Sequence, residues 1–236
     1  LYEKGRAWSL ESFEHLYKML GTKFDFYFFE SQTAPIGKSL VEAHMSDGIF
    51  EKSDGAVVFR GETYGLHTRV FVNSEDFPTY EGKELGLGKL KSETYPYDES
   101  VIVTGNEQAD YFKVILKAVE MVFPDLAGKN RNVAHGLMKL LSGRMSSRKG
   151  NVISAESLIT SLKEKTLEKM KDRKELREES KNQIAEFVSV AGLKYSILKQ
   201  SIGKDIIFDP KMALSFEGDS GPYLQYAYVR ATAVLK

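Results

Sequence analysis

Between Ser100 and Met138 the chain reads apolar run, glycine, amphipathic stretch, proline and second run, and this order restricts the fold more than any other feature. Val101-Ile102-Val103 is short and β-branched, which suits a strand buried on both faces. Gly105 ends it. Glu107 to Val122 places Phe112, Ile115, Leu116, Val119 and Val122 near the 3.6-residue period of a helix, and Pro124 closes that helix. Asn132 to Met138 reads as the next strand. Strand, glycine turn, helix, strand is the grammar of a parallel α/β sheet, whose ligands sit outside the carboxyl ends of the strands. Gly105 and Gly136 both fall there.

The flanks read differently. Ser9 to Leu20 predicts a short helix with Leu10, Phe13, Leu16, Tyr17 and Leu20 on one stripe, stopped by Gly21. Phe24 to Ser31 is aromatic and strand-like, and Leu40 to Phe50 suggests a helix ending near Gly48. Gly55 to Arg60 and Arg69 to Asn73 read as a meander. Together, residues 24–75 form an expected α+β insertion. From Ser154 onward an all-helical region is expected, with 171–181 as a solvated helix face or linker and Ile184, Phe187, Val188, Ala191, Tyr195 and Leu198 as an amphipathic stripe. Asp219-Ser220-Gly221-Pro222 announces a final helix, with Pro222 suited to its first position.

Composition removes several classes. No run of about 18 apolar residues predicts a membrane span, and no secretory leader is visible. The chain has no cysteine, which excludes disulfide scaffolds and thiolate metal sites and fits a reducing compartment, so a cytoplasmic location is expected. His15, His44, His67 and His135 show no metal-ligand spacing, and no metal site is expected. Gly37-Lys38-Ser39 is not a phosphate-binding P-loop, because the required upstream glycine is Gln32. Gly86-Leu87-Gly88 is not a dinucleotide fingerprint, because its third glycine position is Lys91.

Charge is balanced overall, with 33 basic and 33 acidic residues, but residues 126–155 hold Lys129, Arg131, Lys139, Arg144, Arg148 and Lys149 and no acid. Such a window is either a solvated surface loop or the seat of an anion. Its densest part is Ser142-Gly143-Arg144-Met145-Ser146-Ser147-Arg148-Lys149-Gly150-Asn151. Glycines let backbone amides approach an anion, hydroxyls donate hydrogen bonds, and the cations neutralise charge. A loop of this kind after an α/β unit can close over a polyphosphate.

This loop resembles the Lys-Met-Ser-Lys-Ser loop of class I aminoacyl-tRNA synthetases, in an Arg-Met-Ser-Ser-Arg-Lys form spanning Arg144, Met145, Ser146, Ser147, Arg148 and Lys149. Ser147 stands where the second lysine of that motif falls, a departure common among arginyl enzymes, and Arg148 and Lys149 are the local candidates to assist pyrophosphate departure. Four further segments resemble arginyl-tRNA synthetases in order and spacing. Val103-Thr104-Gly105-Asn106-Glu107-Gln108 resembles the turn that meets ribose and amino acid, which assigns Gly105 and Glu107 to ATP and Gln108 to the amino-acid pocket. Tyr80 and Glu84, four apart on one helix face, match the Tyr-x-x-x-Asp-Leu-Gly segment, with Glu84 in place of the commoner Asp, and the resemblance assigns them to the arginine guanidinium. His135, Gly136, Leu137 and Met138 match the strand-end segment that receives adenine, with Leu137 or Met138 bonding the base through the main chain. Gly221-Pro222-Tyr223-Leu224-Gln225-Tyr226-Ala227 matches a helix of the anticodon-binding domain, where Tyr223, Gln225, Tyr226 and Arg230 are the expected tRNA contacts, although at least one of Tyr223 and Tyr226 is expected in the core.

The fold implied is α/β: the second half of a class I synthetase nucleotide-binding (Rossmann-like) domain with an α+β insertion, followed by an α-helical domain. The implied segments are 1–75 as the insertion region, 76–155 as the second catalytic half and 156–236 as the start of the anticodon-binding domain. The implied activity is ATP- and Mg²⁺-dependent activation of arginine and its transfer to tRNA(Arg). Another class I synthetase and a non-catalytic tRNA-binding remnant are the alternatives. The family's His-x-Gly-His motif involves none of the four histidines. It is therefore expected upstream of Leu1, and the isolated chain is expected not to form aminoacyl-adenylate and to self-associate through an open half-sheet.

Overall fold

A computed structural model describes residues 1–140 and 154–235. In chain order the elements are α1 (Tyr2–Met19), α2 (Glu30–Ala43), β1 (Glu51–Ser53), β2 (Ala56–Phe59), β3 (Arg69–Val72), α3 (Tyr80–Thr94), β4 (Ser100–Gly105), α4 (Ala109–Val122), β5 (Asn130–His135), β6 (Met138–Leu140), α5 (Ala155–Lys169), α6 (Glu178–Leu198), β7 (Ile206–Phe208), α7 (Pro210–Ala213) and α8 (Gly221–Val234). They fall into two compact units, Asp25–His135 and Leu1–Phe24 with Gly136–Lys236.

In the unit Asp25–His135, β1, β2 and β3 form an antiparallel meander. Its first turn is Asp54-Gly55, both at positive φ (49° and 79°), the geometry that matches the twist of a two-residue hairpin. The rings of Phe50, Phe59 and Phe71 pack on one another and share a core with Val41, Leu85 and Ile115, so side chains from both sides of residue 75 fill one interior. Helix α4 buries Phe112, Ile115, Val119 and Val122 as the periodicity predicts. Strands β4 and β5 pair in parallel, Ser100 with Asn130 through Gly105 with His135.

Helices α2 and α3 approach through glycine. A Cβ on Gly37 would overlap the Gly82 carbonyl, one on Gly86 the Thr33 carbonyl, and one on Gly82 the Phe71 carbonyl. The glycines of the two rejected nucleotide motifs, Gly37, Gly86 and Gly88, are thus buried helix-packing positions.

Several expectations are corrected here. Residues 24–29 form no strand; Phe26 instead packs against Phe28 and Tyr95, and α2 already begins at Glu30, where Gln32 turns back to accept the Phe29 N–H at 2.9 Å. The helix expected over 40–50 is therefore the end of α2, and Gly48 lies in the turn after it at φ 79°. Strand β4 is not buried on both faces: Val101 is 44% and Val103 65% exposed, because no helix of this unit covers that side.

The unit Leu1–Phe24 with Gly136–Lys236 has its own core, in which Leu158, Ile159 and Leu162 of α5 meet Leu193, Phe208 and Leu214. Helix α1 starts seven residues before its predicted start, and Leu16, Met19 and Leu20 pack against this core. The run predicted as one strand over 132–138 ends as β5 at His135, and β6 begins a new pairing at Met138. A strand also interrupts the predicted all-helical region, since β7 pairs in parallel with β6. Ser154 caps α5, accepting from the Ser157 N–H. Helix α6 buries Ala185, Ser189, Gly192 and Leu193, while Phe187 of the predicted stripe is 70% exposed. The reason is close approach: a Cβ on Gly192 would crowd the Ala213 carbonyl, and one on Gly221 would overlap the Ala191 carbonyl, so the small-residue face faces inward.

Among the described residues no helix is long and apolar enough to cross a membrane.

Candidate functional site

The first turn of α3 is held on β3 by one residue. Thr79 donates its hydroxyl to the Val70 carbonyl at 2.6 Å and its N–H to the Phe71 carbonyl at 3.0 Å. With Gly82 pressed on Phe71, this leaves the start of α3 little freedom. Tyr80 and Glu84 then share one face, as the i, i+4 spacing predicts.

That face meets the carboxyl end of β4. The Tyr80 hydroxyl donates to Gln108 Oε1 at 3.2 Å, and its ring stands edge-on to Phe112 at 6.2 Å. The structure thus brings together Tyr80, Glu84 and Gln108, which are separated by up to 28 positions in sequence. Burial, followed by the neighbouring Glu84 carboxylate, pushes the Tyr80 phenol up to about 12. The Glu84 carboxyl is raised above its ordinary value because it is buried; Lys91 and the Tyr80 hydroxyl oppose that rise, and Glu30 adds to it. No cation among the described residues lies within ion-pair distance of Glu84. A half-buried carboxylate with a fixed phenol and amide beside it suits a forked cationic donor.

Glu107 and Gln108 lie in a single 3-10 turn after β4, and a Cβ on Gly105 would collide with the Glu107 carboxylate. The Glu107 carboxylate folds back over the strand end into the space beside Gly105. His135 ends β5 directly opposite Gly105. Gly105, Glu107, Gln108 and His135 are therefore gathered at the carboxyl ends of two parallel strands.

Gly136, Leu137 and Met138 belong to the other unit. A Cβ on Gly136 would overlap the Lys204 carbonyl, so the close approach it permits is made by the chain itself. Leu137 donates its N–H to Asp205 Oδ1 at 2.9 Å and its carbonyl accepts from the Ile206 N–H at 3.0 Å. Asp205 also binds Lys139. Arg144, Met145, Ser146, Ser147, Arg148 and Lys149 lie outside the described residues.

Ser220 caps α8, accepting from the Tyr223 N–H at 3.2 Å, with Gly221 and Pro222 as its first two residues. Tyr223 is 40% and Tyr226 50% exposed, so neither is in the core; the buried contacts of this helix are made by Gly221 and Pro222. Arg230 stands over the Tyr226 ring at 5.9 Å. Gln225 turns inward, donating to the Phe187 carbonyl at 3.4 Å, and its Oε1 is buried without a partner.

Lys91 and Thr79 carry no motif. Lys91 could be found only from its seven-residue offset from Glu84 on α3, and Thr79 only as the residue before Tyr80.

Known proteins resemble this chain in sequence and in fold. A family model described as tRNA synthetases class I (R), catalytic domain, matches residues 9–210. The chain is 32% identical over 238 residues to an arginine--tRNA ligase of Treponema denticola and 33% identical over 236 residues to one of Clostridium botulinum. All of this chain is covered in both comparisons, and it spans 40% and 42% of the length of those relatives. In fold it is similar to the arginyl-tRNA synthetase of Plasmodium falciparum, with a TM-score of 0.81, 20% identity, and coverage of 99% of this chain and 40% of that one. It is also similar to that of Thermus thermophilus, with a TM-score of 0.74, 22% identity, and coverage of 92% and 43%. With residues 9–210 matched by that family's model, the chain belongs to the class I (R) tRNA synthetase catalytic-domain family.

Proposed function

We propose that this chain supplies the arginine- and ATP-binding surfaces of an arginine–tRNA ligase. The reaction joins the arginine carboxylate to the ATP α-phosphate with loss of pyrophosphate, then passes the arginyl group to the terminal ribose of tRNA(Arg). The observation that carries the reading is the Tyr80–Gln108 hydrogen bond of 3.2 Å beside the half-buried Glu84. Tyr80, Glu84 and Gln108 read the guanidinium; Gly105 and Glu107 meet the ribose, and His135 and Gly136 border the nucleotide. With both Leu137 main-chain groups engaged, Met138 is the main-chain candidate for the adenine. Mg²⁺ enters with ATP; among the described residues no group of three His, Asp or Glu could hold it.

Arg144, Arg148 and Lys149 neutralise the leaving pyrophosphate, and Tyr223, Gln225, Tyr226 and Arg230 touch tRNA. Gln225 does so only after leaving its bond to Phe187. In this reading 1–75 is an insertion region, 76–155 the second catalytic half and 156–236 the opening of an anticodon-binding domain, in a cytoplasmic protein. The exposed Val101 and Val103 make self-association of the isolated chain the expected behaviour.

The test is amino-acid-dependent exchange of pyrophosphate into ATP, with tRNA present, in the full gene product carrying this sequence. Arginine should drive it, and alanine at Arg144, Arg148 and Lys149 together should abolish it. Salt-sensitive tRNA binding without any exchange would instead favour a tRNA-binding module.

A further inference from the structure

Helix α3 carries a second charge on the face of Glu84. Lys91 follows seven residues later, two turns along, and helical side chains lean toward the N-terminus, so Lys91 leans toward Glu84. Both line one small cavity whose other walls are mainly apolar, among them Ile102 of β4 and Ile115, Leu116 and Val119 of α4. Lys91 donates to the Ser100 hydroxyl at 2.6 Å, stands 5.5 Å from the Tyr97 ring centre, and has no carboxylate within ion-pair distance among the described residues. Two opposite charges, each half-buried, therefore face one low-dielectric space without touching.

Such an arrangement is costly unless each charge stabilises the other through the apolar walls. Contact between them would occupy the carboxylate and close it to a ligand. We propose that Lys91 is a positioning residue for arginine recognition: from across the cavity it keeps the Glu84 carboxylate ionised while leaving its oxygens open to the guanidinium. Ser100 fixes Lys91 in that place. The other groups facing Glu84 are Tyr80 on the same helix, neutral through the working range, and Glu30 of α2, which is itself paired with Lys83 at 2.6 Å. Asn130 of β5, the remaining polar wall, is neutral and accepts from the Tyr97 hydroxyl. Lys91 is thus the only cation acting on Glu84 among the described residues. Burial holds its own ammonium below the ordinary lysine value and Glu84 opposes that drop, which makes the dependence mutual.

This inference rests on the arginine reading of Glu84, and its test separates the two. In the full gene product, the arginine KM and kcat are measured against pH for the wild type and for Lys91→Met, Lys91→Gln, Lys91→Arg and Glu84→Gln. Lys91→Met should raise the arginine KM on the order of tenfold at the acid end of the profile and by a steadily smaller factor toward its alkaline end, with kcat at saturating arginine retained. Lys91→Arg should restore the wild-type profile, and Lys91→Gln, which keeps a donor for Ser100, should behave as Lys91→Met does and covers the case in which Met disturbs folding. A loss that is equal at every pH, or an unchanged profile in a folded Met or Gln variant, overturns the role of Lys91. An arginine KM untouched in Glu84→Gln removes the reading beneath it.

Discussion

Burial lifts the Glu84 carboxyl above its ordinary 4.5, so the folded protein holds that proton more tightly than the unfolded chain does. The linkage has a definite sign: from the unfolded value up to the raised one, stability falls as pH rises, because the folded state has more proton to lose. A bound guanidinium reverses the preference. Arginine binding is therefore predicted to release a proton in the window just above the ordinary carboxylate range, readable by calorimetry in buffers of different ionisation heat. Equal heats across buffers at those pH values would contradict it. Glu84→Gln should raise the arginine KM on the order of a hundredfold, since it removes one charge of a desolvated pair. Tyr80→Phe should cost about tenfold, the value of one hydrogen bond to a polar partner. Asp219 illustrates the opposite sign on the surface: the Tyr195 hydroxyl holds it below its ordinary value, so what it contributes is present above that value and lost on acidification.

The position of α3 decides whether these residues meet at all. Gly82 and Gly86 let it lie against β3 and α2 at backbone distance. Gly86→Ala should destabilise the fold by about 3 kcal/mol, the upper range for inserting a methyl where no space exists, and a thermal melt would show it. Val103→Thr, on the open face of β4, should change stability by less than about 0.5 kcal/mol. A large loss there would mean that the strand is covered after all. These elements also show what was legible in the sequence. Helix α4 and strand β4 were, because a strong 3.6-residue period and a glycine-bounded β-branched run carry their own geometry, whereas β5 was placed only approximately, since Asn130–His135 holds one β-branched residue and the expected strand ran on to Met138. Strand β7 was not, since three residues have no period and only the pairing with β6 makes them a strand. The inward face of α6 was missed because Ala185, Ser189 and Gly192 on it are small, and hydrophobicity alone points to the side where Phe187 is exposed. The aromatic run before α2 looked like a strand because its composition is that of one, yet the rings find partners in one another.

At the scale of the whole chain, membership of the class I (R) synthetase family rests on 9–210, while the chain spans about two-fifths of the length of its relatives. Tyr80, Glu84 and Gln108 were singled out in the sequence by motif resemblance, and the structure adds the hydrogen bond between the first and the last. Lys91 was not, since a lone lysine has no motif and gains meaning only from the cavity it shares with Glu84. If the exposed β4 face drives association, sedimentation of the chain should show self-association that Val103→Lys weakens; an unchanged monomer in both would remove that expectation. The central claim is amino-acid identity. The most direct measurement is pyrophosphate exchange by the full gene product, with tRNA, for each amino acid in turn. The account predicts that arginine alone supports exchange and that Glu84→Gln raises its KM on the order of a hundredfold. Exchange driven by a different amino acid, or by arginine with an unchanged KM in that variant, would contradict it.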